Sequence, residues 1–205
     1  MMECSKSLRT KIICLHDITD EKPKNEWTIS RKYLIQLLDL IKLDTENKYE
    51  IHFDDARIGV YKYAFELLKP VINLGKITST IFVVPNWASG YEIPDHERYS
   101  EFMNWSQLQE MHAAGFEIGS HTLSHNNLLF MDGGAKEREL RLSKAIIEGK
   151  LGCAVRKLAY PYGAMDVAVE DAAMRVYEFA YQLNRGLERN NWTLKRTLVL
   201  GGAGK

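Results

Sequence analysis

Seven short apolar segments, separated by stretches of helical periodicity, constrain this chain's fold more than any other feature. They occupy residues 11–15, 49–53, 79–84, 116–120, 156–160, 179–183 and 193–200. The third, Ser79-Thr-Ile-Phe-Val-Val84, is β-branched, aromatic and short, which marks a strand. Between the segments, Ser30 is placed to cap a helix in which Tyr33, Leu34, Leu37, Leu38 and Ile41 recur at helical spacing. A second helix carries Ala64, Phe65, Leu67 and Leu68; Pro70 kinks or restarts it and Gly75 ends it. Residues 93–98 form a polar excursion. Helices then follow over 105–114, with Leu108 and Met111 inward, over 136–151, and from Asp166 through Val169, Ala173 and Val176. Such alternation predicts an α/β fold, a parallel sheet with helices outside it, either open and doubly wound or closed into a barrel. The 205 residues contain no repeat, low-complexity run or linker, so one domain over 1–205 is expected.

Composition narrows the function. Lysine plus arginine and aspartate plus glutamate both number 27, so no broad cationic surface for nucleic acid is expected. No Gly-rich phosphate loop follows the first strand, which weakens a nucleotide-binding reading. The cysteines Cys4, Cys14 and Cys153 are odd in number and lack metal-type spacing, as expected of free thiols in a reducing compartment. The first residues carry no apolar core of signal-peptide length, so a cytoplasmic protein is expected. No run reaches the length of a membrane span. Oligomeric state is not legible.

In parallel α/β folds of either kind, chemistry gathers where strands end at their carboxyl side. Four features fall on that rim: His16 after the first strand, Asp54 and Asp55 after the second, His121 after the fourth, and Tyr160-Pro-Tyr-Gly163 after the fifth. Neighbouring side chains of a strand point to opposite faces, so both aspartates reach one site only if the strand ends there. One can then bind an ion while the other stays free as a base. His121-Thr-Leu-Ser-His125 adds two imidazoles. Two imidazoles and a carboxylate suit a borderline divalent ion and leave a coordination position open for water. Thr122 and Ser124 are candidates to hold the imidazole tautomers by hydrogen bonds.

Phe53-Asp-Asp55, His121-Thr-Leu-Ser-His125 and Tyr160-Pro-Tyr-Gly163 together resemble the three central motifs of the polysaccharide deacetylases, the NodB-homology or carbohydrate esterase family 4 group. Thr80-Ile-Phe-Val83, Trp105-Ser-Gln-Leu108 and Gly115-Phe-Glu-Ile-Gly-Ser120 resemble the family as well. The resemblance implies a distorted seven-stranded β/α barrel and a metal-dependent hydrolase that removes N-acetyl groups from an N-acetylated sugar, releasing acetate. Carried over by position, Asp54 is the catalytic base, and Asp55, His121 and His125 bind a divalent metal, Zn2+ first and Co2+, Ni2+, Fe2+ or Mn2+ as alternatives. Tyr160 and Pro161 line the groove, and the Tyr162 N–H helps to hold the oxyanion.

Three positions depart from the family pattern. Ala56 stands where most members have glycine, which matters only if the turn needs a positive φ. Ala159 stands where many have an arginine that orients the base; Arg196 or Arg57 is expected to reach that carboxylate instead. The late Leu-x-His that supplies a general acid has no counterpart. His16, on a strand that would neighbour the seventh in a closed barrel, takes that role, as in a branch of exopolysaccharide deacetylases with an early acid histidine; a hydrogen bond to Asp17 would raise its pKa. Trp87 and Tyr91 are expected as sugar-stacking walls, with Trp105 as packing. His52 is expected inside the barrel, and His96 and His112 as structural or solvated. Two alternatives stay open: removal of O-acetyl groups, and an inactive carbohydrate-binding domain that retains the metal.

Overall fold

A computed structural model describes residues 9–75, 77–97, 100–183 and 190–201. Its strands are β1 (Arg9–Leu15), β2 (Asp17–Thr19), β3 (Thr28–Ser30), β4 (Asn47–Phe53), β5 (Ile77–Val83), β6 (Glu117–Ser120), β7 (Lys157–Ala159), β8 (Phe179–Leu183) and β9 (Leu194–Leu198). Seven of them, β1-β4-β5-β6-β7-β8-β9, form a closed barrel in that order. Every adjacent pair is parallel, and β9 closes on β1 with Ile13 opposite Thr197 and Cys14 opposite Leu198. The barrel strands are the seven segments expected from sequence, shifted by a few residues at their ends. The closed alternative is therefore the correct one, and the open sheet is excluded.

The helices are α1 (Arg31–Leu43), α2 (Phe65–Asn73), α3 (Pro85–Ala88), α4 (Trp105–Ala113), α5 (Gly133–Leu151) and α6 (Val167–Met174). The Ser30 hydroxyl accepts the Tyr33 N–H at the start of α1, and Leu34, Leu38 and Ile41 are buried along one stripe. Helix α4 begins with a reciprocal capping box between Asn104 and Gln107. Helix α5 starts three residues earlier than its apolar pattern suggests, because Asp132 caps it through the Ala135 N–H, and left-handed Gly152 ends it. Asp166 caps α6 as expected. Pro70 is accommodated within α2, which follows a π-helical turn over Val60–Ala64. No helix among the described residues is long and apolar enough to cross a membrane.

Two features of the fold position the site. The β1–α1 connection contains a small parallel sheet of β2 and β3 that sequence reasoning missed. It brings the Trp27 ring to 5.0 Å from His16. The second is a polar barrel interior. His52 is fully buried there, 2.9 Å from Glu50, and Lys157 pairs with Glu50 from across the barrel. Cys14 is buried and Cys153 partly so, both as free thiols; Cys4 lies outside the described residues.

Candidate active site

Strand β4 ends at Phe53, and the backbone turns sharply there. Asp54 keeps its N–H on the Leu15 carbonyl at 3.0 Å, while Asp55 (φ 69) and Ala56 (φ 53) are left-handed. That turn brings both carboxylates to the same end of the barrel. It also makes Ala56 more than a minor departure from glycine, since a side chain here costs about 1–2 kcal/mol in conformation. Thr122 (φ 64), His125 (φ 60) and Tyr162 (φ 60) are left-handed too. Strained backbone gathered in one place marks a functional site.

Arg196, from β9, donates Nη1 to Asp54 Oδ1 at 2.6 Å and Nη2 to Asp54 Oδ2 at 2.8 Å. Both residues are fully buried. Burial is the largest single influence and would raise the Asp54 pKa, but the Arg196 charge and hydrogen bonds, together with the neighbouring imidazoles, outweigh it and hold the carboxyl well below the usual range. The Cys14 thiol donates to Asp54 Oδ2 at 3.4 Å; burial pushes that thiol up, so it stays a donor.

Asp55 is partnered differently. Its Oδ2 accepts Arg57 Nε at 3.0 Å and lies 2.9 Å from Arg57 Nη2. Its Oδ1 is buried and accepts no hydrogen bond. That oxygen lies 3.6 Å from His121 Nε2 and 3.5 Å from His125 Nε2. Burial opposes the charge of Asp55, yet its neighbours His125 and Arg57 bring its pKa down to about 2; burial brings His125 down to about 4. The His121 Nδ1–H donates to the Ala159 carbonyl at 2.8 Å, which leaves Nε2 as a lone-pair donor. An unpaired buried carboxylate oxygen facing imidazole nitrogens is costly unless a cation joins them. Asp55, His121 and His125 present ligand atoms all within 4.8 Å of one another, and so do Cys14, His16 and Asp54. Arg196 occupies both oxygens of Asp54, so the Asp55 set is the one that fits a metal.

The polysaccharide deacetylase family model matches residues 43–178, a span holding the Asp pair, both histidines and the Tyr-Pro-Tyr-Gly stretch. The chain belongs to the polysaccharide deacetylase family. Carbohydrate deacetylation is the chemistry that this membership assigns to it. No curated protein matches the deacetylase in sequence. Among solved structures it resembles Streptococcus pyogenes deacetylase PplD in complex with acetate, with 18% identity, TM-score 0.77 and coverage of 94% of this chain and 93% of that one. IcaB from Ammonifex degensii is similar at 22% identity and TM-score 0.76, over 94% and 92% of the two chains. BC0361, a polysaccharide deacetylase from Bacillus cereus, matches at 20% identity and TM-score 0.76, over 94% of this chain and 65% of its own. At these identities the likeness is one of fold.

The deacetylase gathers His16, Asp54, Asp55, His121, His125, Trp87 and Tyr162 around one cleft. Several expectations need correction. Tyr160 is fully buried, its hydroxyl bonded to the Trp192 carbonyl at 3.0 Å, and Pro161 is buried with it, so neither lines the cleft. Of that motif Tyr162 reaches the cleft, its ring 4.9 Å from His125. Trp87 is 4% exposed and packs on His125 and Phe102, each 4.8 Å away, so it supports the His125 ring rather than offering a free wall. Tyr91 is exposed and does not line the cleft. Arg57 reaches Asp55, not Asp54.

His16 makes no hydrogen bond through Nδ1, and Asp17 instead accepts the Ile18 N–H at 2.9 Å. Burial lowers the His16 pKa against the pull of Asp54 and Asp55, contrary to the expected rise. Ser124 and Thr122 hold the loop backbone rather than a ring tautomer. Thr122 Oγ1 accepts the His125 N–H at 3.2 Å, and Ser124 Oγ donates to Glu139 at 2.6 Å.

Sequence reasoning missed Glu139, Trp27 and Glu97, and expected His96 to be structural or solvated rather than part of the cleft. The Glu139 carboxylate also accepts the Leu123 and Ser124 N–H groups at 2.9 and 3.0 Å, clamping the histidine loop from α5. Trp27, Glu97 and His96 line the cleft.

Proposed function

We propose that this deacetylase is metal-dependent and removes N-acetyl groups from an N-acetylated sugar, whether polysaccharide, oligosaccharide or glycan precursor. The orphaned Asp55 Oδ1 between two imidazole nitrogens carries the reading. In it, Asp55, His121 and His125 hold a divalent cation, Zn2+ foremost and Co2+, Ni2+, Fe2+ or Mn2+ as alternatives, since such a donor set accepts several first-row ions. When bound, that ion supplies Lewis acidity and lowers the pKa of a coordinated water toward about 7.

Asp54 is the base that takes the proton of the attacking water. Its depressed pKa keeps it ionised, and the two-pronged Arg196 grip fixes its direction. Gly163 and Ala164 close the turn after β7 on the Tyr160 and Pro161 carbonyls, which leaves the Tyr162 N–H outside the turn's own pairing. That N–H donates to the tetrahedral oxyanion. An amine departs only when protonated, so a general acid is needed. His16 lines the cleft beside both aspartates, and burial disfavours its charge, so a proton placed on it is readily given up. Trp27 offers its half-exposed indole as a wall for the sugar.

Acetate release from chito-oligomers by metal-stripped protein, before and after added zinc or cobalt, tests this reading, together with elemental analysis of protein as purified. Release that returns with metal and falls by about 10²–10⁴-fold in Asp54→Asn supports it. Equal release in the presence of a strong chelator would refute metal dependence. An O-acetylated sugar assayed alongside decides between amide and ester cleavage.

A further inference from the structure

We infer that Arg57 and Glu97 form a positioning pair for Asp55, one that makes this carboxylate present a single oxygen to the metal without adding net positive charge beside it. The inference rests on the metal-site reading above. Arg57 follows directly from the strained turn, and its backbone is locked. It bridges Phe102, while Ile58 N–H bonds to the Glu101 carbonyl at 2.9 Å and Met103 N–H to the Ala56 carbonyl at 2.8 Å. The side chain is nine-tenths buried.

A carboxylate on its own turns freely about its last bond and can offer an ion one oxygen or both. Arg57 removes that freedom, because two of its nitrogens lie within 3.0 Å of Oδ2. Oδ1 is then left to face His121 and His125. The guanidinium lies over the Phe102 ring at 5.5 Å, and Phe102 backs Trp87, which backs His125. Glu97 and Phe102 thus support two of the three ligands, Glu97 through Arg57 and Phe102 through Trp87.

Taken alone, a buried guanidinium next to the site would repel a divalent cation. Glu97 offsets it. Its carboxylate receives Arg57 Nη1 at 3.0 Å and Nη2 at 2.7 Å, and Ser100 Oγ donates to it at 2.5 Å. Charge on the pair sums to zero, while the grip on Asp55 is kept. This gives the polar excursion after β5 a task that its sequence does not reveal. Arg57 acts through Asp55, and Glu97 through Arg57.

The test is titration of metal-free protein with Co2+, followed by visible absorption. Arg57→Gln is expected to weaken cobalt binding by roughly 10- to 100-fold and to change the d–d spectrum, because Asp55 regains its second oxygen. Arg57→Lys, which keeps the charge but not the double contact, should restore part of the affinity. Glu97→Gln should weaken binding with little spectral change, because Arg57 still holds Asp55. Affinity and spectrum unchanged in both Arg57→Gln and Glu97→Gln would overturn the inference. If Arg57→Gln does not fold, the partly exposed Glu97→Gln decides, and unchanged affinity there is equally fatal. Failure of the unaltered protein to bind cobalt would instead remove the metal-site reading itself.

Discussion

At the scale of single residues, Asp54 and Asp55 show how partners divide two identical side chains. Arg196 saturates Asp54, whereas Arg57 takes only half of Asp55. Breaking the first pair strands a charge in the barrel. Arg196→Leu is therefore expected to cost about 3–5 kcal/mol of stability, read by urea denaturation. Adding Asp54→Asn in the same chain should recover part of that loss, as a double-mutant cycle would show. The aspartates and the histidine pair were legible in the sequence because each closes an apolar segment. The side-chain directions within Tyr160-Pro-Tyr-Gly163 were not. Tyr160 turns inward and Tyr162 outward through a left-handed φ of 60° at Tyr162, which no residue type at that position announces. Trp27 and Glu97 were hidden for a different reason, since each meets the site from a distant part of the chain.

At the scale of elements, the loop after β6 carries both histidines and is held from outside by Glu139 on α5. Two backbone N–H groups and one hydroxyl depend on that carboxylate. Glu139→Ala is expected to lose about 2 kcal/mol of stability by leaving them unpaired. It should also weaken metal binding, which isothermal titration with zinc would detect. Periodicity and capping residues made the barrel strands and five of the longer helices legible. The β2–β3 sheet was not legible, because strands of three residues carry no usable period. Glu139 was not legible either, being one acid among many on a charged helix.

At the scale of the whole molecule, the barrel encloses ionisable groups, and this sets its response to acid. Burial lowers the His52 pKa from its ordinary 6.5 to about 4. The folded value lies below the unfolded one, so below about pH 6.5 the unfolded chain takes up a proton that the barrel refuses. Stability should then fall from pH 6.5 toward 4, with a slope from this group of up to about 1.4 kcal/mol per pH unit. His52→Gln should show a shallower slope between pH 6.5 and 4.5 in denaturation curves. If the proposed metal site binds zinc, zinc at 100 times its dissociation constant should add about 2.7 kcal/mol, and a chelator should lower the melting temperature accordingly. Parallel α/β character was legible in the sequence. Closure was legible only through the family resemblance and not from the alternation of elements, because it depends on β1 meeting β9 across nearly the whole chain. That seam has a temporal meaning. Asp54 and Arg196 are 142 positions apart, so a polypeptide emerging from the ribosome presents the aspartate pair and both histidines long before the guanidinium that grips Asp54, and that grip forms only once the last stave of the barrel is in place.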